Sequence, residues 1–306
     1  MTDTAPVLSV DDLTKQYDGR PAVDAVRFSI EKGEIVGFVG LNGAGKSTTI
    51  NTILGFLRPT DGSVSLFGKV VLPENAHKSH KNLGFASGDM SLFANLTGMQ
   101  YFTFVAHRHH LKDMTKRDEL IARFEPDLHK KIGDLSRGNK QKIALIAAFM
   151  CSPQLVILDE PSSGLDPLMQ QQFIDLVRQE KELGTTIFMS SHYLNEVIDV
   201  CSRILLIRGG KLVKDMPATE LMQGSGKLVR VVSREKVSAP KDAKDVTTRK
   251  VEDGYELSFV HTSSAGKLQQ WISGIVHVVD LSITDHTIEA AFDDLYELET
   301  GEVAHA

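Results

Sequence analysis

The sequence predicts an α/β fold on a largely parallel sheet, followed by a small C-terminal α+β appendage. Short apolar runs alternate with helix-competent segments as far as residue 207. One of those runs leads directly into a glycine-rich loop that opens a helix. Around Gln223, Gly224, Ser225 and Gly226 the alternation stops and the composition changes. Residues 1–223 are therefore expected to form the main domain, with a helical subdomain at about 98–150, and residues 224–306 an accessory α+β domain.

Taken in order, residues 7–30 read as two or three strands, turning at Asp18-Gly19. The apolar run 35–39 reads as a strand and residues 46–57 as a helix, closed by the turn Arg58-Pro59-Thr60-Asp61-Gly62. Residues 63–67 and 83–86 read as strands, with a polar loop or short helix at 73–81 between them. From 98 to 135 the pattern is helical, with Tyr101, Phe104, Val105 and Leu111 placed on one face. Helices at 137–150, 168–183 and 193–200 then alternate with strands at 155–158, 185–189 and 204–207. In the appendage, strands are expected at 227–233, 255–260 and 276–283, and a helix at 265–275. An amphipathic helix over 287–298 carries Ile288, Ala291, Phe292 and Leu295 at helical spacing.

Composition narrows the partners. The chain has 306 residues, 42% of them hydrophobic and 24% charged, in the range of globular domains. A formal net charge of −6 offers no basic footprint for nucleic acid. The lysines and arginines gathered at 112–123 and 227–250 are interspersed with acids and read as solvated faces. Cys151 and Cys201 lie far apart without a C-x-x-C spacing, which fits reduced thiols. The N-terminal residues do not read as a signal peptide, and no stretch approaches the roughly 18 apolar residues of a membrane span.

The loop Gly40, Leu41, Asn42, Gly43, Ala44, Gly45, Lys46, Ser47, Thr48 matches G-x-x-x-x-G-K-[ST] between a strand and a helix. A triphosphate needs several backbone N–H donors converging on it, and glycines let the backbone come close. The positive end of the following helix adds to that attraction. Lys46 is placed to reach the β- and γ-phosphates and the Ser47 hydroxyl to hold Mg²⁺. The run Leu155-Val156-Ile157-Leu158 ends in Asp159-Glu160. Successive side chains alternate across a strand, so Asp159 can serve Mg²⁺ while Glu160 polarises an attacking water. Ser136 is a good N-cap for the helix that follows, and Gly138 permits close approach of a phosphate. Met189-Ser190-Ser191-His192 closes another apolar strand, placing His192 on the same sheet edge as Lys46 and Glu160.

In that order the loop, Leu135-Ser136-Arg137-Gly138-Asn139, Leu158-Asp159-Glu160, Ser163-Gly164-Leu165-Asp166 and His192 resemble the ATP-binding cassette (ABC) transporter ATPases over residues 8–222. The signature is most similar to the exporter-type branch. The resemblance implies a P-loop NTPase with a RecA-like core, an antiparallel β subdomain and an α-helical subdomain. It implies that Tyr17 stacks on adenine, that residues 40–48 bind ATP, and that Lys46, Glu160 and His192 serve catalysis. Ser136, Arg137, Gly138, Asn139 and Asp166 would contact ATP held on a second subunit. The implied partners are that second ATPase subunit, arranged head to tail, and integral-membrane permease subunits at the cytoplasmic face of the membrane. A rival within the family is a soluble ATPase that remodels a protein or nucleic-acid complex. Such relatives often carry two cassettes or a long coiled-coil insertion, and this chain has one cassette and a short insertion at 100–134.

One position departs from the family pattern. Where a glutamine usually follows a short strand, Gly88 stands, and Asp89 is the candidate to replace it toward the metal. A plain Asx-type turn is the other reading. His107, His109 and His110 read as a solvated helix, with His107 and His110 sharing a face. Met90, Leu92 and Phe93 suit either core packing or the docking of a membrane partner's helix that the family geometry implies.

Overall fold

The computed structural model describes residues 5–88, 92–191, 194–220 and 226–286. The chain divides into two compact units, Met1–Met216 and Pro217–Ala306. The division falls a little ahead of the change in composition at Gln223.

The first unit is built on two sheets. Strands β1 (Leu8–Tyr17), β2 (Arg20–Ile30), β4 (Asp61–Leu66) and β5 (Lys69–Val70) form a four-stranded sheet in the order β2-β1-β4-β5. Every pairing in it is antiparallel. The second sheet runs β10-β9-β3-β8-β7-β6, using β3 (Ile35–Val39), β6 (Leu83–Ser87), β7 (Leu155–Asp159), β8 (Thr186–Ser191), β9 (Arg203–Arg208) and β10 (Lys211–Pro217). From β9 through β6 its pairings are parallel. All residues of β3, β7 and β8 are buried, as strands covered on both faces require. Phe28 on β2, Phe38 on β3 and Phe188 on β8 pack with ring centroids 5.3–6.1 Å apart, which joins the two sheets through one core.

Helices α1 (Lys46–Ile53), α2 (Gly98–Arg108), α3 (Thr115–Phe124), α4 (Arg137–Phe149), α5 (Pro167–Glu182) and α6 (Leu194–Val200) complete this unit. Helix α1 stops short of the expected residue 57, because the chain leaves helical geometry at Gly55, whose φ is +71°. The helical stretch at 98–135 is broken in two. Thr97 and Gln100 form a reciprocal capping box at the start of α2. The buried face of α2 carries Gly98, Phe102 and Ala106, while Phe104 is 48% exposed, so the expected face was rotated. Apolar residues surround this helix, and periodicity alone does not select the buried side. No helix among the described residues is long and apolar enough to cross a membrane.

The second unit is an antiparallel sheet of β11 (Gly226–Ser233), β12 (Ala243–Val251), β13 (Gly254–His261) and β14 (Val278–His286), in the order β12-β13-β11-β14. Helix α7 (Ala265–Ser273) packs Leu268 against Val229, Val231, Leu257 and Phe259. Trp271 meets Phe259 edge-on at 4.9 Å. Strand β12, which the sequence reading omits, is exposed along most of its length and has too few apolar residues to show the alternation of a strand. The helix expected at 287–298 lies outside the described residues.

Candidate active site

Parallel register decides which residues meet. Asp159 lies opposite Ser190, Val39 opposite Ser191, and Ser87 opposite Asp159. Gly40, Gly88, Glu160 and Ser191 therefore share one sheet edge. It is the carboxyl-end edge, where parallel sheets bind their ligands.

The glycine-rich loop connects β3 to α1 at that edge. Gly45 takes φ +108° as it enters the helix, and a Cβ there would come within 2.6 Å of the Ala22 carbonyl oxygen. Only glycine meets both demands. The first turn of α1 receives no side-chain cap, the arrangement that suits a helix N-terminus to an anion. Lys46 is buried. Its Nζ donates to the carbonyl oxygens of Gly40 at 2.7 Å and Leu41 at 3.3 Å, and lies 3.5 Å from Glu160 Oε1. Ser47 and Asn42 are exposed at the loop surface, and Thr48 is partly so.

At the tip of β7, Asp159 is buried and its Oδ1 accepts a hydrogen bond from Ser190 Oγ at 2.5 Å. Glu160, the next residue, has φ +51°, a left-handed conformation that costs a non-glycine residue about 1–3 kcal/mol. Its N–H is shared between the carbonyl and hydroxyl oxygens of Ser190, each at 3.1 Å. Sequence reasoning gave Ser190 no role, since only the pairing of β7 with β8 brings it here. Hydroxyl and carboxylate oxygens, as supplied by Ser47 and Asp159, are donors that suit a hard divalent cation such as Mg²⁺.

A second cluster lies where α4 begins. Ser136 caps the helix, accepting from the Asn139 N–H at 3.4 Å, and the Asn139 Oδ1 accepts from the Asp127 N–H at 2.9 Å. Arg137 donates to Ser163 Oγ at 2.8 Å, and buried Gln141 donates to the Pro161 carbonyl at 2.7 Å. Gly138 is pressed against Gly164, whose carbonyl oxygen a Cβ would approach to 2.7 Å. Asp166 caps α5 through the Met169 N–H at 3.0 Å. The signature and the turn that follows Glu160 thus form one packed body.

Tyr17 ends β1 half-exposed, with Lys15 Nζ 5.3 Å from its ring centroid. Gly88 donates its N–H to the Asp159 carbonyl at 2.9 Å, and a Cβ on it would lie 3.1 Å from both Glu160 O and Ser163 Cβ. The strand end is closely packed where the family carries glutamine. Asp89, Met90 and His192 lie outside the described residues. His107 and His110 do not share the helix face expected of them. Helix α2 ends at Arg108 and His110 has φ +53°. His109 and His110 instead line a pocket with His77, His80, Lys81 and Arg108, and burial pushes the His109 pKa down.

A parallel sheet that carries this loop between β3 and α1, with an Asp-Glu pair on a nearby strand tip, defines a P-loop nucleoside triphosphatase. Residues 23–163 match the ABC transporter family. The bacitracin transport ATP-binding protein BcrA of Bacillus licheniformis is 30% identical over 298 residues, covering 94% of this chain and 96% of that protein. The chain belongs to the ABC transporter family, as an ATP-binding and ATP-hydrolysing subunit. A solved ATP-binding subunit of an ABC transporter is 28% identical at a TM-score of 0.64, over 70% of this chain and 91% of its own. The ATP-binding cassette MJ0796, solved as a post-hydrolysis dimer bound to ADP and Pi, shares the fold at 23% identity and a TM-score of 0.64, over 69% of this chain and 98% of its own.

Proposed function

We propose that this chain hydrolyses ATP as half of a head-to-tail pair of cassettes and drives export through integral-membrane permease subunits at the cytoplasmic face. The observation that carries the reading is the meeting of Lys46 with Glu160, 3.5 Å apart, across two elements remote in sequence. In this reading residues 40–48 cradle the phosphates, Lys46 pairs with the β- and γ-phosphates, and Tyr17 stacks on adenine. Ser47 and Asp159 hold Mg²⁺, with Asp89 as a further candidate ligand. The metal, when bound, neutralises charge on the phosphate oxygens. Glu160 orients the attacking water and His192 contacts the γ-phosphate. Ser136, Arg137, Gly138, Asn139 and Asp166 face ATP bound to the other cassette. Residues 1–223 are assigned to the cassette and 224–306 to an accessory domain.

Phosphoryl transfer depends on position and charge, so removing one well-aimed group costs about 3 kcal/mol, roughly two orders of magnitude in rate. Glu160→Gln should bind ATP, accumulate as an ATP-dependent dimer in size-exclusion chromatography, and lose about that much turnover. Wild-type hydrolysis by the purified variant would remove Glu160 from the mechanism.

A further inference from the structure

We infer that Ser190 is a positioning residue for both carboxylates at the tip of β7. The inference rests on the roles just proposed for Asp159 and Glu160. Ser190 is fully buried in β8, a strand buried at every position, where an apolar side chain would satisfy packing alone. A hydroxyl carries a single proton, and the geometry allots it. At 2.5 Å the proton belongs to the bond with Asp159 Oδ1, a length typical of a hydroxyl on an ionised carboxylate. The Ser190 oxygen is then the acceptor for the Glu160 N–H at 3.1 Å.

One side chain thereby does two things. By engaging Oδ1, it fixes the rotation of the Asp159 carboxylate and leaves the other oxygen, Oδ2, to serve a cation. By accepting from the Glu160 amide, which the Ser190 carbonyl oxygen also engages at 3.1 Å, it adds a second hold on a residue in left-handed conformation. The neighbouring hydroxyl of Ser191 bonds to Glu196 Oε2 at 3.3 Å, on another element. Partners that orient a metal ligand are commonly worth 10–100-fold in metal affinity or activity.

The test uses the full chain with Mn²⁺ as the spectroscopic probe, in Ser190→Ala, Ser190→Thr and Asp159→Asn. Three quantities are read: the Mn²⁺ half-saturation of the ATP complex by electron paramagnetic resonance, kcat, and the metal-free thermal midpoint. Ser190→Ala should raise the half-saturation about 10–100-fold and lower kcat, with the metal-free midpoint close to wild type. Ser190→Thr, which keeps the hydroxyl, should return both values toward wild type. An alanine variant with unchanged half-saturation and kcat overturns the inference, as does a threonine variant as defective as alanine. A fall in thermal midpoint alone would reveal a packing role and overturn it too. Asp159→Asn separates the two levels. If it shifts the half-saturation while Ser190→Ala does not, only the role of Ser190 falls. If neither shifts it, the assignment of Asp159 falls as well.

Discussion

Two buried carboxylates, one in each unit, show how surroundings separate chemistry from architecture. Asp159 and Glu256 are 8% and 5% exposed, and both lie on strands. Glu256 is held by two guanidinium groups, with Arg230 Nε and Arg249 Nε each 2.6 Å from one of its oxygens. Its charge is met within its own sheet. Asp159 is held by a neutral hydroxyl, which orients a carboxylate without cancelling its charge. A carboxylate held that way can attract a divalent cation, whereas one between two arginines stabilises the sheet it belongs to.

The largest test of this contrast is Asp159→Asn. It should lower ATP turnover by about two orders of magnitude and leave the metal-free thermal midpoint nearly unchanged, as read by a coupled ATPase assay and calorimetry. Glu256→Gln should show the opposite pattern, with normal turnover and a weakened second unit. Both arginines are more than half exposed and can be resolvated, so the loss should be roughly 1 kcal/mol rather than the larger cost of a fully buried pair. Trp271, the chain's single tryptophan, packs on Phe259 in that unit, and its fluorescence follows unfolding there. The smallest effect is a pH dependence. Burial opposes ionisation of Glu256, but the hydrogen bonds and charges of Arg249 and Arg230 overcome it and hold its pKa below the ordinary value. Its contribution to stability is therefore complete above the unfolded value of about 4.3 and is lost as pH falls through the lower folded value. A Trp271 unfolding midpoint that declines over that acid range in the wild type should decline less in Glu256→Gln.

The sequence showed the parts whose function requires consecutive residues. The loop at 40–48 and the apolar runs of β3, β7 and β8 are local patterns, and the structure gathers their ends at one edge. It showed less wherever a partner far along the chain decides the outcome. Ser190 acquires its place from a register with Asp159, which no window of sequence contains. Strand β12 is defined by pairing with β13 and carries almost no apolar signal of its own. The buried face of α2 depends on which neighbours cover Phe102 rather than Phe104. The packing at Gly88 likewise follows from proximity to Glu160 and Ser163, set by the pairing of β6 with β7.

Arg137 and Gln141 stand one turn apart on α4 and clasp residues 163 and 161. Two grips on one short turn leave the helix no freedom to swivel by itself. A tilt imposed on α4 from outside would be handed, peptide by peptide, to the backbone of Glu160. In the reading proposed for Glu160, pressure on the helix from outside would reach hydrolysis through that turn.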